Sequence, residues 1–157
     1  MRTAVFAAAL AATALLAIAP QAAHAGACPE EHRLSRPRPV EDAPDVGVLR
    51  EILSVVRLKD WRGTGDLLLR TRRLIVLPGG IVPTHSHDDR PSIVTIIVGE
   101  IVEHSALCAV PILHRTGETS PEFGPGHTHW WENRSSQPVI IISSDVVPNE
   151  MMNDPHM

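Results

Sequence analysis

Gly79-Gly80-Ile81-Val82-Pro83-Thr84-His85-Ser86-His87 is the stretch from which the fold is read. It places an H-x-H pair just beyond a Pro/Gly turn, with apolar runs on either side. A second stretch, Gly124-Pro125-Gly126-His127-Thr128-His129-Trp130-Trp131-Glu132-Asn133, repeats the arrangement further along the chain. Side chains at i and i+2 of an extended strand share a face. His85 and His87 are therefore expected to project together, and so are His127 and His129. One such pair arises easily by chance in a chain with nine histidines and carries little weight alone. Two pairs facing each other across a small barrel would put three or four imidazoles around one ion.

The segments around these pairs read as strands. Residues 67–77 are apolar at both ends with Arg70, Arg72 and Arg73 between, and Pro78-Gly79-Gly80 is expected to break the strand. Residues 81–87 form a short strand, and Asp88-Asp89-Arg90-Pro91 a turn. Residues 93–98 are apolar on both faces, the pattern of a strand packed on both sides. Residues 101–104, 110–114 and 139–147 supply further strands, and 119–123 lead into the second histidine pair. Upstream, 48–58 combines helical spacing with β-branched content and reads as an opening strand. Short strands punctuated by Gly and Pro, with no sustained helical period, make an all-β sandwich or barrel.

The spacing of the two histidine stretches resembles that of the cupin superfamily. Gly79, five residues, His85-x-His87 and then Gly99 match the first motif, and Gly126-x2-His129-x3-Asn133 matches the end of the second. The resemblance covers about residues 67–147 and is to small single-domain bacterial cupins. It implies a jelly-roll β-barrel over 48–147, with His85, His87 and His129 as ligands of one divalent metal ion. Two positions depart from the pattern. Ser92 stands where the family's glutamate ligand belongs, and Gly124 stands at the motif proline, with Pro125 displaced by one.

A neutral hydroxyl is a poor ligand for a divalent ion, so Ser92 leaves the fourth ligand open. His127 is a candidate for that place, or for shuttling protons at the pocket mouth with an ordinary pKa near 6.5. Asp88 and Asp89 offer carboxylates but sit in a turn, and Glu103 offers one only if its strand faces inward. Arg90 is a candidate either for clamping a substrate carboxylate or for stabilising the turn. Trp130 and Trp131 point to opposite faces, one toward the core. Three neutral nitrogens without a carboxylate suit iron, manganese, nickel or zinc. The resemblance then implies a mononuclear non-haem oxygenase acting on a small molecule, since some cupin dioxygenases of small thiols use three histidines. The alternative is a non-catalytic cupin that binds a small molecule or the metal itself.

Residues 1–25 read as a secretory signal peptide: Arg2, an Ala/Leu-rich run, Pro20 and the small-x-small site Ala23-His24-Ala25. A lipoprotein processed at Cys28 ranks second, because the usual Leu three residues before the cysteine is missing. Residues 26–47 form a Pro-rich arm, and 148–157 a polar, frayed tail. The chain carries a net charge of −4, and loss of Arg2 with the signal would leave −5. That balance argues against nucleic acid or an anionic membrane as partner. The partner expected is a small molecule, with a second copy of the chain implied by the family. Both cysteines survive cleavage, so a Cys28–Cys108 disulfide is expected in an oxidising compartment.

Overall fold

A computed structural model of the chain describes residues 26–154. The signal peptide read at 1–25 lies outside the described residues. Eight strands carry the fold: β1 (Val46–Arg57), β2 (Leu67–Ser86), β3 (Ser92–Val98), β4 (Glu100–Ser105), β5 (Ile112–Arg115), β6 (Thr119–Glu122), β7 (Thr128–Glu132) and β8 (Val139–Pro148). All pairings are antiparallel, in the order β5-β4-β7-β2-β8-β3-β6, with β1 added alongside β2. The sheet curls back on itself. Glu122 on β6, at one end of this order, comes within 4.0 Å of His129 on β7, four strands away.

Alternation sets the inside of the barrel. β8 buries every second residue, namely Val139, Ile141, Ser143, Asp145 and Val147, and β2 does the same with Leu68, Arg70, Arg72, Leu74 and Val76. One end is therefore apolar. There Leu74, Val76, Val82, Val94, Ile96, Ile101, Trp131, Val139 and Ile141 form one core. The other end is lined by ionisable groups.

Three expectations are corrected. Pro78-Gly79-Gly80 does not break the strand, and β2 continues through it to Ser86. Gly79 takes φ +72°, which bends the strand, while Gly79 N donates to Asn133 O and Asn133 N to Gly80 O, both at 2.9 Å. Asn133 adds side-chain bonds from Nδ2 to the carbonyls of Val76, Leu77 and Gln137. The bend is held by pairing, so the ladder survives it. Residues 93–98 are not packed on both sides, since Ile93, Ile97 and Val98 are exposed. The tail does not fray through Asp154: a turn of 3-10 helix at Asn149–Met151 presents the carbonyls of Met151 and Met152 to Arg70 Nη1.

The arm lies against the 105–109 loop. Leu34 N donates to Leu107 O, Arg38 N to Ala106 O and Ala109 N to His32 O, and a disulfide joins Cys28 to Cys108. The bond closes a loop of 80 residues, for which loop-closure entropy gives an upper figure of about 4.5 kcal/mol. Cys108→Ser is expected to cost about 2–4 kcal/mol in urea unfolding, and reductant should then change nothing further in that variant. A loss below about 1 kcal/mol would show that the arm's hydrogen bonds suffice to hold it.

Candidate metal centre

The two histidine stretches meet because β2 and β7 are neighbours. His85 and His129 are direct cross-strand partners in that ladder, as are Ser86 and Thr128. Facing residues on adjacent antiparallel strands lie on one side of the sheet with Cβ atoms about 5 Å apart. His87 sits one residue beyond β2, in the turn that follows. Its backbone N donates to His127 O at 2.8 Å, which ties the two stretches together. Asp88 closes the same junction by accepting from Gly126 N at 2.8 Å. Gly126 has φ +77°, and a Cβ there would fall 2.8 Å from Pro37 Cγ of the arm. Glycine is thus required at Gly126 both by the backbone and by the arm.

Each of the three rings has its Nδ1 fixed by an acceptor. His85 Nδ1 donates to Pro83 O at 2.7 Å, and His87 Nδ1 to Arg90 O at 2.9 Å. His129 Nδ1 donates to the Glu103 carboxylate at 2.8 Å. A carbonyl or carboxylate oxygen only accepts, so the neutral rings carry their lone pairs on Nε2. Two of those Nε2 atoms meet, with His129 Nε2 3.1 Å from His85 Nε2, and one nitrogen from each of the three rings lies within 4.8 Å of the other two. Adjacent nitrogens about 2.1 Å from a common ion are separated by about 3.0–3.4 Å. The donor set therefore fits a divalent metal. Fixing the tautomer through the distal nitrogen is how metal-binding histidines are oriented.

The electrostatics agree. Burial, with Arg90 and the neighbouring rings, pushes His87 down to about 2. Burial and His129 likewise lower His85. These two rings stay neutral at ordinary pH and keep their lone pairs available. Burial also opposes charging of His129, but Glu122 and Glu103 outweigh it and raise its affinity for a proton. A proton and a metal ion use the same lone pair, so these carboxylates favour either one. Burial disfavours the Glu103 anion too, yet hydrogen bonds from His114 and His129 prevail and hold its carboxyl well below the usual range. Glu103 thus acts on the site through His129, with His114 Nε2 on its other oxygen at 2.8 Å.

The remaining candidates fall around this centre. Arg90 is buried, bonded to Asp145 Oδ2 at 3.1 Å, and its Nη2 lies 3.2 Å from His87 Nε2. The guanidinium edge and an ion therefore compete for one lone pair. His127 precedes β7; its ring is 5.1 Å from that of His129 and its buried Nε2 has no hydrogen-bond partner among the described residues. It groups with Glu103 and His129 rather than with His85 and His87. Trp131 is in the core and walls the cavity, while Trp130 stacks on His104 at 3.9 Å. Ser92 is buried, and its Oγ has no hydrogen-bond partner among the described residues. Asp89 is exposed and takes no part.

Sequence reasoning missed Glu122. It is buried on β6, with Oε2 3.1 Å from His87 Nε2. Burial raises its pKa to about 7, against the pull of His129. The signal available was indirect: a lone carboxylate in the segment leading to the second histidine pair, in a chain lacking the expected glutamate. Asp145 was missed as well. It binds Arg70, Arg72 and Arg90 together behind the rings. A small cavity lies in front of the rings, bounded by Leu74, Val82, Val94, Ile141, Arg90 and Ser143.

The curled sheet and its strand pairing are those of a double-stranded β-helix. A protein with such a domain from Klebsiella pneumoniae matches with a TM-score of 0.50 and 19% identity, over 73% of this chain and 85% of that one. The fold is cupin-type. The Cupin_2 domain of an XRE family transcriptional regulator from Enterobacter cloacae matches at a TM-score of 0.48 and 18% identity, covering 66% of this chain and 99% of that one. An oxalate oxidase solved with glycolate also matches at 0.48 and 18%, over 71% of this chain and 59% of its own. No family model and no curated protein sequence matches the chain. Among the described residues of this small cupin-type protein, His85, His87 and His129 form a cluster that could hold a metal ion.

Proposed function

We propose that the protein is an exported metal-binding cupin in which His85, His87 and His129 hold one divalent ion and which acts as a mononuclear oxygenase on a small molecule. The observation that carries the metal reading is that one nitrogen from each of three rings lies within 4.8 Å of the other two, while each ring's Nδ1 is held by an oxygen acceptor. When bound, iron or manganese supplies redox chemistry with oxygen, and zinc or nickel supplies Lewis-acid chemistry. The chain's own residues limit what can react. The cavity before the rings has a volume of about 40 Å³, room for about three waters or a ligand of a few heavy atoms. Its apolar wall of Leu74, Val82, Val94 and Ile141 excludes water from the far side. Arg90, with a buried Nε that lacks a hydrogen-bond partner among the described residues, offers a cation to an acidic group on the substrate. His127 is kept neutral by burial, which lowers its pKa, and so can accept a proton near the centre.

Export is supported by the Cys28–Cys108 disulfide, which suits an oxidising compartment. The homodimer has a candidate surface in β1, where Leu49, Leu53 and Val56 are exposed. The non-catalytic alternative keeps the ion and lacks turnover. Protein purified after expression of the full sequence is expected to contain about one equivalent of iron, manganese, nickel or zinc by elemental analysis. Stripped protein should take up one equivalent again. A chain that neither carries nor takes up an ion would end this reading, whereas a loaded chain silent in oxygen uptake with small carboxylates, thiols and phenols would favour the binding module.

A further inference from the structure

Ser92 leaves the metal centre without the anionic ligand its sequence pattern calls for, and three buried carboxylates surround the gap. Two of them are committed elsewhere. Asp145, the partner of Ser92 on β8, is bonded to the guanidinium groups of Arg70, Arg72 and Arg90. Glu103 has one oxygen on His114 and the other on His129 Nδ1, the side of the ring turned away from the converging nitrogens. The third is Glu122, which pairs with Ser92 from the opposite strand, β6. We propose that Glu122 is the carboxylate ligand of this centre, supplied across the β3–β6 ladder in place of Ser92.

The geometry is specific. Directly paired residues point to the same face with Cβ atoms about 5 Å apart, so a carboxylate on β6 is displaced by one strand from the usual position. The longer reach of Glu and the small side chain at Ser92 let it cover that distance. Glu122 Oε2 then lies 3.1 Å from His87 Nε2 and 4.0 Å from His129 Nε2. With His87 Nδ1 donating to Arg90 O, its Nε2 has no proton to give, so an ionised Glu122 puts two electron-rich atoms face to face. Among the described residues, Glu122 Oε1 is buried without a hydrogen-bond partner, and so is Ser92 Oγ. Buried polar atoms are almost always paired, and a cation between Glu122 and the rings would pair this carboxylate with the lone pairs it faces. A fourth, anionic ligand also reduces the charge of the site, which matters in a buried cavity that already contains Arg90.

This inference rests on the metal-binding reading, and the test separates the two. Manganese affinity and the visible absorption of the cobalt-loaded protein are measured for the wild type, Glu122→Gln, His85→Ala and the double exchange Ser92→Glu with Glu122→Ser. Glu122→Gln is expected to weaken manganese binding by more than about 100-fold, since losing a ligand should exceed the roughly 10–100-fold that outer partners of metal sites cost, and to change the cobalt spectrum at saturation. The double exchange returns the carboxylate to the β3 position and should recover affinity to within about tenfold of the wild type. It also keeps the test open if Glu122→Gln fails to fold. Glu122→Gln binding within about threefold of the wild type, or an unchanged cobalt spectrum at saturation, would overturn the role of Glu122 while leaving the three-histidine centre standing. A wild type that binds neither ion would instead remove the centre itself.

Discussion

His85→Ala is expected to lower affinity for the divalent ion by at least about 1000-fold while leaving the unloaded barrel folded. The two halves of that expectation have different causes. His85 makes one structural hydrogen bond, from Nδ1 to Pro83 O, and is only partly buried. Its backbone pairing with His129 does not depend on the side chain. Removing the ring should therefore cost the unloaded fold about 1 kcal/mol, the usual scale for a single substitution. For the ion, one of three nitrogens disappears from a site that has no slack. The other candidates are spoken for or misplaced: His127 groups on the far side of His129, and Ser92 is neutral. Isothermal titration with manganese or zinc, beside far-ultraviolet circular dichroism and a thermal melt without metal, reads both halves. Retained affinity in a folded variant would mean that the ion, if any, sits elsewhere. His129→Ala is a less clean probe, because it also strips Glu103 of a hydrogen-bond donor inside the barrel.

How far the letters alone reached follows from what each feature depends on. The strands were legible where Gly and Pro mark their ends, as at 139–147, which lies between Pro138 and Pro148 and forms β8. The bend at Gly79 was read as an end because a Pro-Gly-Gly run looks the same whether or not a partner strand continues the ladder, and that partner is Asn133, more than fifty positions away. The pairs His85-x-His87 and His127-x-His129 were legible as candidates through i, i+2 geometry. That His85 faces His129 across a ladder was not, since register between distant strands leaves no mark in local spacing. Glu122 and Asp145 were hidden for the same reason. Each pairs with Ser92, one from each side, and nothing in Ser120-Pro121-Glu122 or Ser144-Asp145-Val146 announces that neighbour. Arg70 and Arg72 look like a solvated stripe in sequence, yet alternation turns both inward, where a carboxylate from β8 meets them.

That inward stripe makes Asp145 the position whose loss should hurt the fold most. Arg70 grips it with two bonds, Nε to Oδ1 at 3.0 Å and Nη2 to Oδ2 at 2.8 Å. Arg72 Nη2 and Arg90 Nη1 reach Oδ2 at 3.2 and 3.1 Å. Asp145 and Arg70 are buried to within about 1%. A buried pair of this kind contributes little beyond what apolar packing would, but breaking one side strands the other charge in a poor dielectric. Here three guanidiniums would lose a shared anion at once. Asp145→Ala is therefore expected to destabilise the protein by about 3–5 kcal/mol in urea unfolding, and Asp145→Asn, which keeps the shape and part of the hydrogen bonding, by less. Arg90 has a second attraction nearby, the Glu122 carboxylate, which already favours its charged form. Freed from Asp145, Arg90 should swing toward Glu122 and His87 and compete harder for the lone pair it already approaches at 3.2 Å. Metal affinity should then fall together with stability in Asp145→Asn, whereas Arg73, exposed and paired with Glu51, should alter neither when replaced by Ala. A loss under about 1.5 kcal/mol for Asp145→Ala would mean that water or the chain's other carboxylates reach the arginines easily, and that this end of the barrel is far wetter than its burial implies.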